Sequence, residues 1–191
     1  MKRIGILGGT FNPVHIGHLA VAQIVCDALK LDKVLFIPSF YPPHKSREHV
    51  LSVRHRAAMV QLAIKDNPKF KLNDFEIKHP RKSYSIHTLQ YLHKFYPAGT
   101  KFYFIVGSDM LPGLKNWRRI DELSKLTQFI VVSRKGFKPV KTGFKVRTIP
   151  TLDLGISSSY LRRCLKEKKT VKYLLPEGVL AYIKKHKLYL R

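Results

Sequence analysis

The stretch Ile4-Gly5-Ile6-Leu7-Gly8-Gly9, followed by a polar turn and then Leu19, Ala22, Ile24, Val25 and Leu29, leaves few folds open. A short apolar run stopped by two glycines reads as a buried strand and a turn, and the later residues form a helical apolar stripe. Val34 to Pro38 repeats the strand signal. It comes about 30 residues on, the length of a β-α-β unit, so the right-handed crossover rule makes the two strands parallel. After a Pro-rich loop from Ser39 to His49, Val53, Ala57, Val60, Leu62 and Ile64 mark a second helix, and Phe70 to Ile77 reads as extended. Ile86, Leu89, Tyr91 and Leu92 predict a helix before the strand Phe102 to Val106; Ile120, Leu123 and Leu126 predict one before Phe129 to Val132. Val146 to Ile149 is a candidate last strand, with helices at about Ser158 to Lys166 and Glu177 to Lys185. This alternation predicts an α/β fold: a doubly wound, Rossmann-like parallel sheet with helices on both faces. No repeat or linker interrupts it, so residues 1–191 are expected to form one domain with a small helical C-terminal part from about residue 157.

Chain length supports that expectation, since 191 residues can bury roughly 70% of their unfolded surface without disulfides or metals. There is no run of about 18 apolar residues that could span a bilayer, so no membrane partner is expected. Met1-Lys2-Arg3 has the basic start of a signal peptide but lacks its apolar stretch and cleavage site. Cys26 and Cys164 are too few for a disulfide framework or a Cys-rich zinc site, and both are expected to be reduced, in the cytoplasm. Thirty-six Lys and Arg against 12 Asp and Glu give a formal charge of +24, an attraction for nucleotides, pyrophosphate or RNA. The excess runs from Lys30 to the Lys184-Lys185-His186-Lys187 tail rather than gathering in one arm. That distribution reads as a solvated basic surface, and without an aromatic RNP segment or a Cys/His finger a nucleic-acid partner is not expected.

Chemistry concentrates between the first strand and first helix, in Gly8-Gly9-Thr10-Phe11-Asn12-Pro13-Val14-His15-Ile16-Gly17-His18. An open parallel sheet places its ligand crevice there. Two glycines allow close backbone approach, and a helix N-terminus offers unbonded N–H groups and partial positive charge to an anion. His15 and His18 stand one turn apart on one helix face, where both can donate hydrogen bonds to phosphoryl oxygens gaining charge in a transition state. The competing readings are a core histidine or half of a zinc site, and a zinc site lacks a third ligand nearby. Neither G-x-x-x-x-G-K-[ST] nor G-x-G-x-x-G is present, so a different phosphate-binding class is required.

Gly8 to His18 resembles the H-x-G-H signature of the nucleotidyltransferase superfamily. Class I aminoacyl-tRNA synthetases share that spelling, but the chain has no K-M-S-K-S and no length for further tRNA-reading domains. The late segment Gly155-Ile156-Ser157-Ser158-Ser159-Tyr160-Leu161-Arg162-Arg163 resembles the superfamily's I-S-S-[ST]-x-[IL]-R element. There Ser157 and Ser158 can cap a helix and present donors, while Arg162 follows about one turn later and can reach the same phosphates. Pro42-Pro43-His44-Lys45, Ser83-Tyr84-Ser85-Ile86-His87-Thr88-Leu89, Phe104-Ile105-Val106-Gly107-Ser108-Asp109-Met110, Asn116-Trp117-Arg118-Arg119 and Val131-Val132-Ser133-Arg134 are similar to one branch, the bacterial nicotinate-nucleotide adenylyltransferases. Asn12 stands where that family commonly has Asp, and Ser85 where it commonly has Thr.

The resemblance implies transfer of the adenylyl group of ATP to nicotinate mononucleotide, giving deamido-NAD and pyrophosphate in NAD biosynthesis. Nicotinamide mononucleotide or another small phosphate-bearing acceptor is the alternative, and a basic RNA-binding protein is the alternative of another class. His15, His18, Lys45 and Arg162 would stabilise the reacting phosphates. Gly8, Gly9, Thr10, Phe11, His18, Gly107, Asp109, Arg134, Ile156, Ser157, Ser158 and Arg162 would bind ATP, with Asp109 accepting from ribose hydroxyls. Thr10, Lys45, Tyr84, Ser85 and Trp117 would bind the mononucleotide, Trp117 by stacking on the pyridine ring. Mg²⁺ would arrive bound to ATP, and no protein metal ligands are expected. A homo-oligomer is left open.

Overall fold

The computed structural model describes residues 1–41, 50–133 and 142–190. Six strands, β1 (Arg3–Gly9), β2 (Lys33–Pro38), β3 (Phe70–Leu72), β4 (Lys101–Gly107), β5 (Gln128–Ser133) and β6 (Val146–Pro150), form one sheet. Its order is β3-β2-β1-β4-β5-β6, and every neighbouring pair is parallel. Among the described residues seven α-helices connect and flank the strands: α1 (Ile16–Ala28), α2 (Val53–Ile64), α3 (Phe75–Lys78), α4 (Ser85–Phe95), α5 (Ile120–Leu126), α6 (Ser158–Lys166) and α7 (Glu177–Lys185). A 3₁₀ segment, Ser108–Asn116, follows β4.

Strand residues alternate between two apolar cores, because successive side chains on a strand point to opposite faces. Leu7, Val34, Phe36, Tyr103, Ile105, Ile130 and Val132 enter one core with α1, α2, α6 and α7. Ile4, Ile6, Leu35, Ile37, Phe102, Phe104, Val106, Phe129 and Val131 enter the other with α4, the 3₁₀ segment and α5. Both faces are covered, which is why these strands read as continuous apolar runs rather than as alternating ones. The expected Rossmann-like sheet is therefore present, with the C-terminal helices α6 and α7 packed into the same core as α1 and α2. Among the described residues no helix is long and apolar enough to cross a membrane.

One sequence expectation needs correction. Phe70 to Ile77 is not one extended stretch: the strand ends at Leu72, and Asn73 Oδ1 accepts from Phe75 N at 3.2 Å, turning the chain into α3. Asn favours this local bond over a ladder bond. The 3₁₀ segment, with Pro112 inside it, has no counterpart in the sequence reading.

The chain winds outward through β1, β2 and β3, then returns to place β4 on the other side of β1. The crossovers diverge between β1 and β4, and a crevice opens at the carboxyl ends of these two strands.

Candidate active site

Gly8 and Gly9 end β1 at that crevice, and Gly107 ends β4 opposite them. Around them lies a cleft of about 1110 Å³, large enough for two nucleotides. Its walls carry every described site residue singled out from sequence: Gly8, Gly9, Thr10, Phe11, His15, His18, Tyr84, Ser85, Gly107, Asp109, Trp117, Ile156, Ser157, Ser158 and Arg162. Lys45 and Arg134 lie outside the described residues.

The first loop is built tightly. Phe11 takes a left-handed backbone conformation (φ 49°), is buried, and sets its ring edge-on to His18 at 5.1 Å. His15 is the N-cap of α1, an unusual residue there, and its backbone N–H donates to Nδ1 of His18 at 3.2 Å. The two imidazoles lie with centroids 3.8 Å apart. With Nδ1 of His18 accepting, the neutral tautomer consistent with this bond carries its proton on Nε2. Gly17 is what allows the histidines to sit so close: a Cβ there would come within 3.1 Å of the His15 ring. Gly107 similarly leaves the space into which the Asp109 carboxylate folds back, and both residues line the cleft.

The late motif is joined to the first loop by direct bonds. Ser157 caps α6, accepting from Tyr160 N at 3.2 Å, as its position suggests. Ser158 does not share that role; its hydroxyl donates to the Pro13 carbonyl at 2.9 Å. Arg162 donates through Nη1 to the Asn12 carbonyl at 2.9 Å and through Nη2 to Ser159 Oγ at 3.1 Å. Some 150 residues of chain thus close onto one loop.

On the other side of the cleft Tyr84 is the N-cap of α4 and Ser85 its first residue. The His87 N–H closes the first turn on the Tyr84 carbonyl at 3.0 Å, and the Tyr84 N–H is bonded to Lys82 O at 3.0 Å. The Arg118 guanidinium lies 4.7 Å over the Tyr84 ring. Burial, then the charges of Arg81, Arg118 and Arg119, push the nearby His87 below its ordinary pKa, a sign of a cationic rim. Trp117 is half-buried, edge-on to Phe104 at 5.7 Å and to Phe129 at 6.2 Å, and one side of it lines the cleft.

Three residues that hold this site were not found from sequence. Arg56 is 1% exposed and reaches under the first loop. Tyr189, near the end of the chain, donates to Asn12 Oδ1 at 2.8 Å, which also accepts from Leu51 N at 3.4 Å. Glu76 lines the cleft, accepts from Thr88 Oγ1 at 2.8 Å, and is raised above the usual carboxylate range by burial. None stands in a motif, so spacing alone could not reveal them.

Among the described residues no group of three or more His, Cys, Asp and Glu could hold a metal ion. Around the first loop the donors are imidazole, hydroxyl, guanidinium and backbone N–H groups, a set matched to phosphate oxygens.

The cytidylyltransferase-like family matches residues 6–164. A relative from Oceanobacillus iheyensis, named probable nicotinate-nucleotide adenylyltransferase, is 46% identical over 99% of this chain and 97% of its own. One of the same name from Lactiplantibacillus plantarum is 45% identical over 98% of this chain and 88% of its own. The chain belongs to the nicotinate-nucleotide adenylyltransferase family. The structure of Plasmodium falciparum nicotinic acid mononucleotide adenylyltransferase complexed with NaAD superposes with a TM-score of 0.83 at 25% identity, covering 99% of this chain and 98% of that one. Such family membership excludes the tRNA synthetase reading and makes the basic surface that of a nucleotidyltransferase.

Proposed function

We infer that the protein transfers the adenylyl group of ATP to nicotinate mononucleotide, forming deamido-NAD and releasing pyrophosphate. The observation that carries this reading is the junction of the two motifs, Ser158 on Pro13 and Arg162 on Asn12, at the carboxyl end of β1. It gathers imidazole and guanidinium donors at the one place where a parallel sheet of this order offers a crevice.

An oxygen of the mononucleotide phosphate attacks the α-phosphorus of ATP in line. The bond from that phosphorus to the β-bridging oxygen breaks, and pyrophosphate leaves with the electron pair. Little proton transfer is required, so positioning and charge stabilisation carry the catalysis. His15 and His18 serve the phosphoryl oxygens that gain charge, with Nε2 of His18 as donor; Arg162 and Lys45 add positive charge at the leaving group. ATP brings Mg²⁺ as part of the substrate. Asp109 is suited to accept from ribose hydroxyls, and Gly8, Gly9, Thr10, Phe11, Gly107, Arg134, Ile156, Ser157 and Ser158 complete the ATP side. For the acceptor, the N-terminus of α4 at Tyr84 and Ser85 suits a carboxylate, and Thr10 and the exposed side of Trp117 complete that pocket. A cytoplasmic location suits a reaction that uses ATP as donor.

Incubation with MgATP and nicotinate mononucleotide should release pyrophosphate and yield deamido-NAD in equal amounts, with neither formed when the mononucleotide is left out. Salt-sensitive RNA binding without pyrophosphate release would instead support the nucleic-acid reading.

A further inference from the structure

Arg56, on the first turn of α2, donates four hydrogen bonds, all to backbone carbonyls. Nε reaches Leu51 O at 2.9 Å, Nη1 reaches Thr10 O at 2.6 Å, and Nη2 reaches Ser39 O at 2.7 Å and Phe40 O at 3.3 Å. These acceptors belong to three segments: the first loop, the turn leaving β2 and the turn entering α2. Two of them, Thr10 and Ser39, line the cleft. Burial lowers the guanidinium to a pKa of about 10, so it stays charged at neutral pH. None of its hydrogen bonds goes to a carboxylate. Glu76 favours the charge only at longer range. If packing were the whole requirement, an apolar side chain of similar volume would fill the space without a desolvated charge.

We propose that Arg56 is a positioning residue for adenylyl transfer, orienting the backbone around Thr10 and Ser39 toward the reacting phosphates. The C=O and N–H of a trans peptide point in opposite directions. With the Thr10 carbonyl drawn to Arg56, the Phe11 N–H is turned away from it, and the Ser39 carbonyl turns the Phe40 N–H likewise. Carbonyl oxygens, which would repel an anionic substrate, are thereby held away from the cleft and satisfied. Arg56 touches neither substrate; it acts through the loops, and its cation adds a fixed positive potential behind them.

This inference rests on the adenylyltransferase reading, so wild-type protein is assayed alongside Arg56→Lys and Arg56→Ala. An ammonium cannot span four carbonyls in three directions. The folded Arg56→Lys protein is expected to lose at least about ten-fold in kcat, with the KM for ATP within about three-fold of wild type, the pattern of lost transition-state positioning. Guanidinium chloride at about 20 mM should restore part of the kcat of Arg56→Ala, and sodium chloride of equal strength should not, because only the planar cation fits the carbonyl set. Folded variants with kcat within about two-fold of wild type overturn the proposal, whatever their melting temperatures. So does failure of both variants to fold, which would make Arg56 a folding residue. An inactive wild type would count against the activity itself and not against Arg56.

Discussion

At the scale of single residues, His18 has two bonds to account for. Its Nδ1 accepts from the His15 N–H, which fixes the ring, and in the proposed reaction its Nε2 donates to the phosphates. His18→Ala removes both. The first is a cap worth about 1 kcal/mol of stability, while the second is a donor aimed at transition-state charge, worth about 3 to 4 kcal/mol. Steady-state kinetics should therefore show kcat lower by about 10²- to 10⁴-fold, with ATP affinity changed modestly. A folded variant with near-normal kcat would remove His18 from the reaction. The histidine pair was legible because its partners lie within the same helical turn. Arg56 was not: its carbonyl partners lie between 5 and 46 residues away, and next to Arg54 and His55 it reads as one more surface cation. Tyr189 is further still, 177 residues from Asn12.

At the scale of elements, the first turn of α1 is shaped for its histidines rather than for helix stability. Gly17 is a poor helix former by roughly 0.5 to 1 kcal/mol relative to Ala. A Cβ at that position would lie 3.1 Å from both Cε1 and Nδ1 of His15, so the ring must give way. Gly17→Ala should therefore separate two properties that usually fall together. Thermal stability is expected to hold or rise slightly, while kcat falls about ten-fold through the displaced imidazole. Unchanged kcat in that variant would show that the His15 ring position is unimportant. The helix itself was readable from Leu19, Ala22 and Val25, as was the strand before it, because each carries its own periodicity. Phe70 to Ile77 misled because Phe70, Leu72, Phe75 and Ile77 are apolar on either side of Asn73-Asp74, and the local side-chain bond of Asn73 decided the turn.

At the scale of the whole molecule, alternation of strands and helices was enough to predict a parallel sheet covered on both faces, but not the order β3-β2-β1-β4-β5-β6. That order depends on which way the chain turns after β3, a choice made by packing between distant elements. It decides where the two motifs meet. The net charge of +24 attracts anions at long range and, in the proposed reaction, favours the more acidic acceptor. In the proposed reading the N-terminus of α4, where Ser85 is the first helical residue, offers N–H donors to the acceptor's carboxylate. An amide in place of the carboxylate sets an NH₂ group against one of those donors, and a buried donor left unpaired costs roughly 1 to 3 kcal/mol. The most direct test is pyrophosphate release from ATP, measured side by side with nicotinate mononucleotide and nicotinamide mononucleotide. The expected result is a kcat/KM at least about 10²-fold higher for the acid. Equal use of acid and amide would contradict the assignment of the acceptor, and no release with either would contradict the adenylyl transfer itself.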